Sequence, residues 1–326
     1  YAADTWTQIT GSAFGVATQT LVQEMEVYNG YVYAATAQEN GGVAKVWRST
    51  TGDSGTWTED TVFSPALSSD FAIHSFGVTT LGGGYIWLGT GNGSLGGSIY
   101  QSRTGDTWTA ISNRGFGNSA MTTSAPNMVV FQGSSDTTPY LYAGISTRTG
   151  TAGARVYRTP YANSDSTAWT LVKDFSADTE VQLISYFHVW GNTLYFATDD
   201  KGQLWQTTDT GTFTKNAGVG DGFGDPTNMV ISSLVDFKGY LYATTTNIVK
   251  GGQLWRTPNG ANWQQITPNA FAKGDSVNEL RSLRVSGNTL WISGYTDTTK
   301  SLGTPVWRSN DGLNFVQSNT DGFGDT

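Results

Sequence analysis

The sequence predicts an all-β fold, a single β-propeller of six blades with four antiparallel strands each. Three observations carry that prediction. One strand pattern returns six times, a second pattern follows each copy, and an aromatic anchor recurs about every 50 residues. A twisted four-stranded sheet cannot cover both of its faces alone. Set radially, each sheet packs on its two neighbours, and closing the ring removes the exposed ends.

The first pattern is an aromatic-rich strand ending in small residues, at 30–36, 85–90, 140–144, 193–198, 240–244 and 289–294. The second follows it at 45–50, 98–102, 155–159, 203–207, 253–257 and 305–309. Apolar and polar residues alternate in both, as in strands with one buried face. An apolar stretch before each first pattern, such as 183–189 or 280–285, supplies an innermost strand. The fourth strand carries the anchor: Trp6, Trp57, Trp108, Trp169, Phe213, Trp263 or Phe315.

There are seven anchors for six copies of the other strands. Residues 4–9 read as an anchor strand at the start, while 314–318 already complete the last blade. The surplus strand is peripheral, or the chain is a piece of a longer array, or the strand pairs with the sheet edge of another subunit. A seven-bladed ring is the alternative, and it lacks three strands. On either count residues 1–326 form one domain.

The turn before each anchor resembles the Asp-box, or BNR repeat, of sialidase-like propellers, which reads Ser-x-Asp-x-Gly-x-x-Trp. The nearest stretches are 309–315, 257–263 and 207–213, with looser versions at 49–57 and 102–108. Asp53, Asp209 and Asp311 supply the acidic residue, and Trp57, Trp108, Trp263 and Phe315 the aromatic one. No copy matches the full motif. The resemblance implies a structural turn: the carboxylate accepts backbone N–H groups, the glycine supplies an unusual φ, and the aromatic plugs the blade. It speaks to fold and not to activity. Sialidases hold a carboxylate with three arginines and use a Tyr–Glu pair with an Asp acid. Here Arg48, Arg158, Arg256 and Arg308 repeat beside the turns and read as structural, and only Arg281 and Arg284 fall on an innermost strand. The sialidase catalytic set is not recognised.

Composition narrows the function. The net charge is −8 with only 13% charged residues, and the basic residues are scattered. An acidic surface repels phosphate backbones and anionic membranes, so neither nucleic acid nor membrane insertion is expected. No apolar run is long enough to span a bilayer. The absence of cysteine removes thiol chemistry, disulfides and Cys-ligated metals.

Candidate binding residues are the polar groups on or beside innermost strands: Glu24, Glu26, His74, Tyr186, His188, Glu279 and Arg281. Glu24 and Glu26 alternate on one strand and so share a face, lining a pore or meeting solvent. Two histidines on different blades, without cysteine, read as satisfied polar residues and not as a metal site. No catalytic residue is assigned. The loop at 220–225 recurs at 321–325, and its alternating Asp221 and Asp225 could ligate Ca²⁺ through oxygen. The relatives at 114–118 and 13–15 keep Phe and Gly but no carboxylate, so a tight turn around a buried Phe accounts better for the pattern. No cofactor is expected otherwise. Asn92-Gly-Ser94 is an N-glycosylation sequon in an expected loop.

Together these point to a non-catalytic, extracellular or cell-surface propeller acting in adhesion, carbohydrate binding or structural assembly. Its partners would be glycans, other surface proteins or further copies joined through a terminal strand into a filament. The alternative is a glycan-active hydrolase or lyase with one asymmetric pore-mouth site.

Overall fold

The computed structural model describes residues 4–10, 12–16, 21–37, 43–60, 70–118, 121, 123–147, 153–178, 181–209, 212–296 and 303–324. The described strands fall into six successive repeats of four. The first is β1 (Leu21–Tyr28), β2 (Tyr31–Ala37), β3 (Val46–Ser49) and β4 (Thr58–Glu59). The second is β5 (Ala72–Thr79), β6 (Tyr85–Gly91), β7 (Ile99–Ser102) and β8 (Thr109–Ala110). The third is β9 (Thr123–Phe131), β10 (Tyr140–Ser146), β11 (Arg155–Pro160) and β12 (Thr170–Asp174). The fourth is β13 (Ile184–Trp190), β14 (Thr193–Thr198), β15 (Leu204–Thr207) and β16 (Thr214–Lys215). The fifth is β17 (Val230–Phe237), β18 (Tyr240–Thr246), β19 (Leu254–Thr257) and β20 (Gln264–Thr267). The sixth is β21 (Glu279–Ser286), β22 (Thr289–Tyr295), β23 (Val306–Ser309) and β24 (Val316–Gln317).

Within each repeat the strands pair in order, antiparallel, so every repeat is a meander. Single contacts join some repeats into longer curled sheets: Ala37 with Ala72, Gly91 with Thr123, and Thr246 with Glu279. The described residues divide into two compact units: Tyr1–Thr7, Ser185–Thr208 and Phe213–Thr326, and Gln8–Ile184 with Asp209–Thr212. The second unit holds the first three repeats, and the first holds the last three.

In both units the core lies between consecutive repeats. Tyr33 and Val46 of the first repeat pack with Ile73, Phe76 and Leu88 of the second. Tyr85, Trp87 and Ile99 of the second meet Met128, Leu141 and Ala143 of the third. Tyr195 and Leu204 of the fourth face Ile231 and Leu241 of the fifth, and Tyr242 and Leu254 of the fifth face Leu283, Ile292 and Trp307 of the sixth. Each buried Leu, Ile or Phe contributes about 1.5–3 kcal/mol by leaving water. A lone repeat would expose one of its faces and lose that contribution.

The anchors sit where the repeat pattern puts them. Trp57, Trp108, Trp169, Phe213, Trp263 and Phe315 each stand immediately before the last strand of a repeat. The Phe of the Gly-Phe-Gly turn then docks on the following repeat. Phe223 stacks 4.5 Å from Trp255 with planes 6° apart and meets Trp263 edge-on at 5.3 Å. Phe116 does the same on Tyr157 and Trp169, Phe271 on Trp307 and Phe315, and Phe14 on Trp47 and Trp57. These phenylalanines have φ between 53° and 59°. A left-handed backbone costs an L-residue about 1–2 kcal/mol. Two ring pairs at about 0.5–1.5 kcal/mol each offset that cost, which is why Phe persists in the copies that lack carboxylates.

The start of the chain differs from the sequence expectation. Residues 4–10 form no strand. The Asp4 amide donates to the Ser318 carbonyl at 2.9 Å and the Trp6 indole to the same oxygen at 3.2 Å. The Asp4 carboxylate takes the Ser318 hydroxyl at 2.6 Å and Arg308 at 2.8 Å. Among the described residues this single backbone bond makes no ladder, and the segment tethers to the sixth repeat of its own chain, with Trp6 against Phe323 at 5.2 Å.

Candidate functional site

Several leading strands carry a polar residue at the one position where they are irregular. The register slips once in β1 (Val22/Glu24), β5 (Ile73/Ser75), β17 (Ile231/Ser233) and β21 (Leu280/Ser282). The skipped residues are Gln23, His74, Ser232 and Arg281. A bulge redirects the side chain it carries. Four different residue types at one repeat position make that place chemically unequal from repeat to repeat.

In the unit holding the last three repeats, three leading strands bring a cluster together. Arg284 of β21 is exposed and donates through Nη1 to the Tyr186 hydroxyl of β13 at 2.9 Å. His188, two residues further along β13, meets Asp236 of β17 through Nε2 at 3.1 Å. Tyr186 and His188 share a strand face, since side chains alternate along a strand. The bond from His188 holds the Asp236 carboxyl below its usual range, against a smaller opposing effect of burial. The strands are fixed beneath these groups: the Ser185 hydroxyl donates to the Ile231 carbonyl at 2.7 Å, and the Leu283 amide donates to the Ser233 hydroxyl at 3.2 Å.

Glu279 and Arg281 flank the cluster on β21. Burial pushes the Glu279 carboxyl up, opposed by Arg281 and a hydrogen bond with Ser232. The Ser232 hydroxyl lies 2.9 Å from that of Thr246, whose residue pairs in register with Glu279. The Arg281 guanidinium lies 5.1 Å from the centre of the Tyr295 ring.

The other sequence-selected residues lie in the unit holding the first three repeats. Glu24 and Glu26 are both half-buried on β1, and the Glu26 carboxylate accepts the adjacent Val27 amide at 2.9 Å. His74 occupies the β5 bulge with its ring edge-on to Phe71 at 6.0 Å. It presses so close to β6 that a Cβ at Gly91 would stand 2.5 Å from its Nε2.

Two places that look like ligand sites serve architecture. A shallow cavity of about 250 Å³ is lined by Arg308, Ser309, Asn310, Asp311, Asn314 and Val316. The Asp311 carboxylate there accepts the Leu313 and Asn314 amides, each at 2.8 Å, and the Ser309 hydroxyl. Those bonds hold its carboxyl well below the usual range. Asp221 takes Gln203 and Lys215 at 2.8 and 2.6 Å, and Asp225 takes Lys250 at 2.7 Å. Both carboxylates of the loop considered for Ca²⁺ are thus already paired with ammonium groups. Among the described residues no group of three or more His, Cys, Asp or Glu is placed to hold a metal.

The repeating arginines pin loops. Arg48 pairs with Asp106 in the turn of the next repeat, Arg158 with Asp136 at 3.0 Å, and Arg308 with Asp4. Arg158 and Arg256 lie 4.2 Å over the rings of Tyr140 and Tyr240.

Comparison with solved structures bears on the fold. The chain shares the β-propeller fold. A fucose-binding lectin from Aleuria aurantia, described as a six-bladed β-propeller, superposes with a TM-score of 0.53 at 12% identity, covering 93% of this chain and 95% of the lectin. A polysaccharide lyase gives 0.51 at 12% identity, covering 95% of this chain and 83% of the lyase. An ancestral GH74 enzyme gives 0.59 at 12% identity; 92% of this chain is covered, but the match spans only 43% of that enzyme. No family model and no curated protein matches the sequence. Among the described residues no helix is long and apolar enough to cross a membrane.

Asp236 and Arg284 complete the cluster but were not among the sequence-selected binding residues. Asp236 precedes Phe237-Lys238-Gly239, where an aspartate reads as a turn former. Arg284 was noted on its strand, yet its partner Tyr186 lies 98 residues away, and no local pattern links them.

Proposed function

We propose that residues 1–326 form one six-bladed β-propeller domain with degenerate Asp-box turns, which binds carbohydrate outside the cell or at its surface without altering it. The observation that carries this reading is the convergence of Tyr186, His188, Asp236 and Arg284 from three successive leading strands. The cluster mixes hydroxyl, imidazole, carboxylate and guanidinium groups, which suits a ligand rich in hydroxyls. Among the described residues the cluster holds one carboxylate, Asp236, where glycoside hydrolysis uses a facing pair. Asp236 is engaged by His188, and Glu279 is drawn into the base of β21.

The test is a screen of immobilised glycans with wild-type protein and with Arg284→Ala and Tyr186→Phe. Binding that weakens in both variants, with no new reducing ends released, is the expected result. Binding unaffected by either variant would overturn the assignment of the site. The glycan-active alternative is favoured by one observation, the raised Glu279 carboxyl, a group suited to hold a proton for a leaving group. Release of products that stops in Glu279→Gln would establish it instead.

A further inference from the structure

We propose that Arg256, on β19 of the fifth repeat, is a docking point for an aspartate or glutamate side chain carried by an extended segment of another protein. The inference stands apart from the glycan-binding reading above, since it uses no residue of that cluster.

One arginine recurs on the third strand of four repeats, as Arg48, Arg158, Arg256 and Arg308. Three of them meet a carboxylate of their own chain: Arg48 meets Asp106, Arg158 meets Asp136 at 3.0 Å, and Arg308 meets Asp4 at 2.8 Å. Among the described residues Arg256 meets none. Its Nη1 donates to the Tyr242 hydroxyl at 3.5 Å and its Nη2 to the Gln264 side-chain oxygen at 3.4 Å, both neutral acceptors at long range. Its guanidinium lies 4.2 Å from the centre of the Tyr240 ring, as that of Arg158 does over Tyr140. Arg256 is therefore held like its relatives and lacks only the anion.

Two local changes remove that anion. The turns at 102–108 and 309–315 correspond residue by residue. In each the leading serine, Ser102 or Ser309, accepts the amide of Gly105 or Gly312 at 2.8 Å. A tyrosine of the preceding repeat closes on that glycine, Tyr33 on Gly105 and Tyr242 on Gly312. The next residue is Asp106 in one turn, where it takes Arg48, and Leu313 in the other. Asp311 does not replace it. Its Oδ1 accepts the Leu313 and Asn314 amides at 2.8 Å each, and its Oδ2 accepts the Asn314 side-chain nitrogen at 2.7 Å. The other source of acid, the loop between β9 and β10 that carries Asp136, shrinks between β17 and β18 to Lys238 and Gly239. That hairpin brings a lysine and no carboxylate.

The sixth repeat shows what kind of group enters. Arg308 is met by Asp4, 304 residues away in sequence, on a segment that forms no strand. Its Nη2 donates to the Asp4 carboxylate at 3.1 Å, while the Asp4 amide donates to the Ser318 carbonyl at 2.9 Å. An extended acidic peptide is thus an occupant this position already accepts. Leu313, in the place of Asp106, is 47% exposed. An arginine half-buried over an aromatic ring, with an exposed leucine in the adjoining turn, has the composition of a protein contact. A sugar would set hydroxyls against that leucine, which pairs with none.

The experiment is nitrogen NMR of the arginine side chains in the full chain, with the Arg256 signal identified by its loss in Arg256→Lys. The probes are a capped Gly-Asp-Thr peptide, which copies 105–107, its Gly-Asn-Thr counterpart, and digalacturonate. The Asp peptide should shift the Arg256 signal and bind at least about 10-fold tighter than the Asn peptide, as a charge-assisted bond supplies. Salt should weaken it. Leu313→Asp provides an internal carboxylate as in the second repeat and should abolish the shift, whereas Leu313→Asn should keep it. Position 313 is exposed, so both variants are expected to fold. An Arg256 signal unmoved by the Asp peptide, or moved equally by the Asn peptide, would overturn the inference. So would peptide binding that survives Leu313→Asp at wild-type strength. A shift produced by digalacturonate alone would give the arginine to an acidic glycan and overturn the protein partner. The glycan reading is judged separately on Arg284→Ala and Tyr186→Phe, so either can fail without the other.

Discussion

The second and fifth repeats build the same buried polar node with different chemistry. In the fifth, Asn228 is fully buried and uses all four amide valences. It donates to the Gly222 carbonyl and Gln253 Oε1, both at 2.8 Å, and accepts from Thr245 at 3.1 Å and Asn247 at 2.8 Å. In the second repeat the equivalent residue is Asp70, also fully buried. One oxygen accepts Asn92 at 2.9 Å and Arg114 at 2.6 Å; the other meets no donor among the described residues. The asparagines that end the second strands behave alike. Asn247 accepts the Val249 and Lys250 amides, and Asn92 the Ser94 and Leu95 amides. A neutral amide centre can be completed by neighbours already in the repeat, whereas a carboxylate brings in an arginine and depends on it. Burying a charge is tolerable only while its counter-ion stays.

That dependence sets the largest predicted effect. Arg114→Ala should cost about 3–5 kcal/mol in urea unfolding, because it leaves the Asp70 carboxylate buried without its cation. Adding Asp70→Asn should recover most of the loss by turning the second repeat into a node like that of the fifth. Failure of the double variant to recover would break the equivalence of the two nodes. The neutral node should be less sensitive: Asn228→Ala is expected to cost about 2–3 kcal/mol through the four hydrogen bonds it removes, since Asn247 keeps Thr227 and Gln253 keeps the Trp255 indole. A loss as large as that of Arg114→Ala would show that charge is not what separates the two.

The smallest effect concerns acid. Burial raises the Asp225 carboxyl, but hydrogen bonds from Lys250 and Thr227 outweigh it and hold it at about 2, against an ordinary 3.8. The folded protein therefore binds fewer protons than the unfolded chain between those values. This contribution is complete above pH 3.8 and fades as the pH falls towards 2. Lys250→Met should flatten that part of the stability–pH curve, measured by urea unfolding at stepped pH. An unchanged curve would mean that the pair contributes nothing to this loop of the fifth repeat.

Much of the fold was legible in the sequence because a repeat writes each local rule several times. The strand patterns at 140–144 and 253–257 lie in β10 and at β19, and the anchors each precede a last strand. Residues 4–9 show the limit of that logic. They carry the anchor pattern, but among the described residues their backbone bonds only to the Ser318 carbonyl and forms no ladder. The Gly-Phe-Gly turn was readable as a turn, though not the destination of Phe223, since stacking on Trp255 and Trp263 depends on the next repeat. The cluster was least legible. Tyr186 and His188 stood out by residue type, while Asp236 and Arg284 acquire their meaning only when three strands lie side by side.

The place of Asn92 gives the sequon a meaning that the motif does not contain. The residue is only 2% exposed and its side-chain nitrogen is committed to Asp70, so an oligosaccharyltransferase can reach it only while the second repeat is still open. A sugar attached there would be a timestamp, marking molecules intercepted before that repeat closed and barred from closing it afterwards. In a host that carries the enzyme, the unmodified fraction therefore measures how quickly this stretch of polypeptide shuts relative to its capture.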